Sequence, residues 1–189
     1  MSERIQSGLS LSRTLLGCAA AYAAFFYVNE LLFKSLEFTQ GVNWVFMPSG
    51  LRLALVLIFL WQGALGIMLA SIAITWWSFE ASAVFSLVTG CISGFAPWLA
   101  RRVAIDWLKL DPDIQYLSPP KLLALSVLFA VTSAVLHQLW FAWNGTHADF
   151  VQNTLVMVLG DLMGTLLVLF GLRLFILWLR QPRVFDSLG

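Results

Sequence analysis

Residues 42–79 read VNWVFMPSGLRLALVLIFLWQGALGIMLASIAITWWSF, and Arg52 is the only charge among them. About 20 apolar residues carry a helix across the hydrocarbon core of a bilayer. This run is too long for one crossing and too apolar for a water-facing surface. Two readings divide it. In the first, Gln62 and Gly63 form a turn between a span over 42–60 and another over 64–79, and Pro48 kinks the earlier helix. In the second, a short loop enters the membrane as far as Pro48, one long tilted helix follows from Ser49, and the whole chain has five spans.

The flanking sequence repeats the pattern. Of the 189 residues, 60% are hydrophobic and 11% charged, against about 25% charged in soluble domains. Further apolar blocks cover about 13–33, 83–104, 122–141 and 151–170, the last able to continue to Leu179. The first is too long for the apolar region of a cleavable leader and is read as a retained helix. With the 42–79 run divided, the expectation is an all-α, polytopic membrane helix bundle of about six transmembrane helices, a single integral membrane domain over 1–189. Basic residues orient it. Arg101, Arg102, Lys109 and Lys121 mark the 101–121 loop as cytoplasmic, and Arg173, Arg180 and Arg183 do the same for the C-terminal end, including a tail over 180–189. Six spans also bring Arg4 and Arg13 inside, so both termini are expected in the cytoplasm. Five spans would put Arg4 and Arg13 outside, which favours six.

Lipid and packing account for most of the chain, but not for Arg52 and Asp161. An ionisable side chain within a span is costly and faces a partner or a cavity. On antiparallel elements each lies about ten residues from its outer end, or roughly 15 Å at 1.5 Å per residue. Matched depth makes them a candidate ion pair, which either fixes helix register or lines a pocket for a small ligand. Asn43, Ser49, Glu30 and His137 are the other pocket candidates. Pro48 and Gly50 break and thin the helix that carries Arg52. Gly90 with Gly94, and Gly160 with Gly164, are small-xxx-small pairs suited to close helix contact. The nine tryptophans fall near span ends as interfacial anchors. Cys18 and Cys91 read as small apolar fillers.

No phosphate-binding loop or HExxH motif is present. His137 and His147 lack companions at metal-ligand spacing. The expectation is no metal, no cofactor and no enzymatic activity, and the charge pattern gives no reason to expect nucleic acid.

The stretch from Asn43 through Trp77 resembles the amino-terminal half of the MASE1 family of bacterial integral membrane sensory domains. Trp44, Pro48-Ser49-Gly50, the leucine-rich helix after them and residues 63–70 carry the likeness. Gly160-Asp161-Leu162-Met163-Gly164 looks like that family's Gly-Asp-x-x-Gly segment in a late helix. The resemblance implies about eight helices joined to kinase or cyclic-di-nucleotide output domains. Six spans without an output enzyme imply a short, stand-alone sensor-like module of the bacterial inner membrane. The resulting expectation is a non-enzymatic sensing or interaction module in the lipid bilayer that couples to a separate membrane or cytoplasmic protein. The alternatives are a small transporter, a substrate-binding transporter subunit, or a scaffold of a membrane complex.

Overall fold

The computed structural model describes residues 2–107, 109–110, 118–146 and 149–179, without the side chains of 2–9, 175–177 and 179. Five long helices dominate: α1 (Ser2–Phe33), α2 (Pro48–Ser78), α3 (Ala83–Trp107), α4 (Pro119–Trp143) and α5 (Phe150–Leu179). Each is long and apolar enough to cross a membrane. A short 3-10 turn, Lys34–Leu36, follows α1 and leads to β1 (Glu37–Thr39). β1 pairs antiparallel with β2 (Val42–Asn43).

The second helix is not straight. Leu60 has φ 52 and ψ −126, a conformation that no helix accommodates and that reverses the chain. The backbone of Gly63 lies against the Leu55 carbonyl. Residues eight apart in a continuous helix would be about 12 Å apart along the axis. α2 is therefore two antiparallel helices, α2a (48–59) and α2b (61–78). The reversal falls two residues before the turn expected at Gln62, and six segments run through the bundle.

Their directions follow from neighbouring residues. Gly66 abuts Leu15 and Cys18, and Ser78 meets Tyr27, so α1 and α2b are parallel. Gly90 packs on Met68 and Ile72, and Gly94 on Ala64, so α3 runs back antiparallel to α2b. Trp140 reaches Thr89, and Gln138 reaches Met157, which continues the alternation through α4 and α5. The start of α1 and the end of α5 consequently share one face of the bundle, here the termini face. The β-hairpin lies at the opposite, hairpin face.

Two expectations are corrected. Residues 42–47 are not the start of a transmembrane helix: β2 and an irregular loop occupy them, and the helix begins at Pro48. Pro48 sits in the first turn, where a missing N–H costs nothing, and kinks no helix. Within the 101–121 stretch, α3 continues to Trp107. Residues 108, 111–117 and the 180–189 tail lie outside the described residues, as does His147.

The two halves of the bundle differ because α2a is short. At about 18 Å it spans only part of a hydrocarbon core about 30 Å thick. In the termini half, six helices pack together. Leu53, Ala96, Ala100, Ala104, Leu125 and Phe129 form an apolar cluster there, all completely buried. In the hairpin half, an extended loop replaces α2a beside five helices.

Candidate functional site

That loop is held by three elements. Phe46 N–H donates to the Gly160 carbonyl at 3.1 Å, and Trp44 N–H to the Leu36 carbonyl at 3.1 Å. Met47 N–H donates to the buried Asn29 side chain at 2.9 Å. Backbone polar groups in a membrane need such internal partners. Gly160 and Gly164 make the approach possible: a Cβ on either would run into the carbonyl of Asn43 or Phe46. This pair therefore receives a loop, whereas Gly90 and Gly94 seat helix against helix. Gly50 likewise brings α2a onto the backbone of Thr165.

The loop delivers the first turn of α2a next to Asp161. The Ser49 hydroxyl donates to the Asp161 carboxylate. Arg52 Nη2 lies 3.4 Å from both carboxylate oxygens, 3.0 Å from Ser49 Oγ and 3.1 Å from Ser133 Oγ. Arg52 and Asp161 are each only 1% exposed. The guanidinium carbon lies 5.7 Å from the Phe46 ring centre and 5.3 Å from that of Phe129. An aromatic clamp adds a favourable contact to the ion pair.

A second polar chain joins this pair. His137 Nδ1 donates to the Ser133 carbonyl at 2.8 Å. That bond leaves Nε2 to accept from the Ser93 hydroxyl, 3.2 Å away. Ser71 donates to Ser93 at 2.9 Å, and the buried Tyr22 lines the same cavity. Tyr22 is on α1, Arg52 on α2a, Ser71 on α2b, Ser93 on α3, Ser133 and His137 on α4, and Asp161 on α5. All six segments therefore meet in one buried polar layer.

Above this layer, towards the hairpin face, lies a cavity of about 480 Å³. Arg52, Ser71, Ser93 and His137 lie at its deep end, and Phe26, Phe46, Phe79, Phe85 and Phe141 line its walls. Glu30, Glu37, Gln40, Ser82, Asn144 and Thr146 surround its mouth. Among the described residues, no three His, Cys, Asp or Glu side chains gather as a metal site.

Of the pocket candidates read from the sequence, Arg52, His137, Asn43 and Glu30 line the cavity. Ser49 and Asp161 stand behind it and hold Arg52. Sequence reasoning missed Tyr22, Ser71, Ser93 and the role of Ser133. Tyr22, Ser93 and Ser133 lie about ten residues from the hairpin-face ends of their helices, roughly the depth that singled out Arg52 and Asp161, and Ser71 about seven. The matched-depth argument extended from charges to hydroxyls would have found them.

Compared with family models, curated proteins and solved structures, the chain matches none.

Proposed function

We propose that the chain is a non-enzymatic sensing module of the bacterial inner membrane, which binds a small ligand from outside and signals to a separate protein inside. The observation that carries this reading is the cavity ending on a buried layer to which all six segments contribute a side chain. A ligand filling the cavity would touch every segment, from Tyr22 on α1 and Arg52 on α2a through Ser71, Ser93 and His137 to Met157 on α5. It would then favour whichever helix packing binds it better. The resemblance to MASE1 sensory domains supports the same assignment.

Orientation follows from charge. Arg13, Arg101, Arg102, Lys109, Lys121 and Arg173 belong to the termini-face portions of the chain. Among the basic residues the structure describes, only Lys34 belongs to the hairpin face. The termini face is therefore assigned to the cytoplasm. There Lys121 Nζ donates to the Lys109 carbonyl at 3.3 Å, tying the start of α4 to the residues after α3. This basic region is the proposed contact for the partner.

A sensor and a transporter differ in access. The apolar cluster of Leu53, Ala96, Ala100 and Phe129 closes the termini half, which favours binding over passage. The test uses Ser93→Cys in a chain whose Cys18 and Cys91 are replaced by alanine. A small membrane-impermeant thiol reagent is applied to right-side-out and inverted vesicles. Reaction only in right-side-out vesicles is expected. Comparable reaction from both sides would replace the sensor with a transporter.

A further inference from the structure

We infer that the cavity takes an organic cation, a protonated amine with an apolar or aromatic body; this rests on reading the cavity as a ligand site. The charge of Arg52 is already balanced by Asp161, 3.4 Å away and equally buried; its Nε is a buried donor without a partner, which a neutral acceptor on the ligand's body, such as a hydroxyl, would meet. His137 is held at both nitrogens, by the Ser133 carbonyl and by Ser93. The remaining ionisable carboxylates lining the cavity are Glu30 and Glu37. Glu30 meets Lys34 at 3.6 Å, but the lysine is 73% exposed and does not line the cavity. Such a pair contributes little. Glu37 accepts one hydrogen bond, from Gly41 N–H at 3.1 Å.

A separate observation points the same way. Asn43 lines the cavity, is only 6% exposed, and its amide oxygen is a buried acceptor without a partner. A buried acceptor of this kind is satisfied by a donor. An ammonium group brings several donors and no acceptor, as Lys does. The Phe26, Phe46, Phe79, Phe85 and Phe141 rings cover the rest of a ligand and attract a cation to their faces. An anion would instead face two carboxylates with no uncompensated positive charge. The volume of about 480 Å³ is within the range of small-molecule sites.

Ser93→Cys, and Thr75→Cys as a second reporter on another wall, test this in the otherwise cysteine-free full chain. Each is reacted with a trimethylammonium methanethiosulfonate and with its sulfonate counterpart, and rates are normalised to free cysteine. The cationic reagent is expected to react at least tenfold faster. Glu30→Gln combined with Glu37→Gln should remove most of that preference. Phenethylamine should slow labelling, and phenylacetate should not. Equal or faster reaction with the sulfonate, or equal protection by phenylacetate, would overturn the cationic ligand while leaving the cavity in place. Failure of both reagents at both positions would overturn the cavity as a ligand site, and this inference with it.

Discussion

The two halves of this bundle share five helices and differ in the sixth. In the termini half, alanines at 96, 100 and 104 let α3 close on Leu53 of α2a and on Leu125 and Phe129 of α4. In the hairpin half, residues 42–47 take the place of a helix, and the thinner chain leaves a cavity. Arg52 sits at the boundary. Where a helix begins within the membrane thus decides where the interior is open.

The comparison breaks most completely if the loop loses its seat. Gly164→Leu places a side chain where the Phe46 carbonyl and Met47 nitrogen lie. No monodisperse protein is expected after detergent extraction, as judged by size-exclusion chromatography. Normal yield and elution would show that the loop does not rest on α5.

The boundary itself comes next. Asp161→Ala leaves the Arg52 charge buried without its counter-ion and should cost about 3–5 kcal/mol in a mixed-micelle unfolding titration. Arg52→Leu combined with Asp161→Leu should cost less than Asp161→Ala alone, since no lone charge remains. Additive losses would mean that the two residues act independently.

A matched pair of truncations sharpens the contrast between halves. Leu125→Ala empties the closed cluster and should cost about 2–5 kcal/mol. Phe85→Ala on the cavity wall should cost about 1–2 kcal/mol, because its ring is only partly covered. Equal losses would argue that the hairpin half is as tightly packed as the termini half. The smallest effects belong to the ion pairs Lys34–Glu30 and Arg102–Asp106, the latter with both side chains more than half exposed. Lys34→Ala and Arg102→Ala should each change stability by no more than about 0.5 kcal/mol.

Much of this was legible in the chain. Apolar blocks announced a membrane bundle, and parity of basic residues favoured six crossings over five. Comparing depths paired Arg52 with Asp161, now seen at 3.4 Å. The chain reversal lay close to Gln62 because the 42–79 run had to be divided somewhere. The favoured reading made 42–47 helix, since Val-Asn-Trp-Val-Phe is as apolar as a helix and carries no breaker before Pro48; the loop ending at Pro48 belonged to the five-span reading. Its irregular backbone is held by the Leu36 carbonyl and by the more distant Asn29 side chain and Gly160 carbonyl, which local sequence does not display. Ser71, Ser93 and Ser133 were passed over for a related reason. A serine in an apolar helix looks ordinary until the helices are placed side by side.

The account depends on α2 folding back at Leu60, and a distance measures that directly. Spin labels at Trp44→Cys and Trp77→Cys, both exposed positions, are placed in the chain with Cys18 and Cys91 replaced by alanine. Their separation is then read by double electron–electron resonance in lipid nanodiscs. A folded-back α2 puts both labels near the hairpin face, within about 30 Å, the breadth of three helices about 10 Å wide. A continuous helix would hold them about 50 Å apart at 1.5 Å per residue. That result would leave no half-length helix to open the cavity.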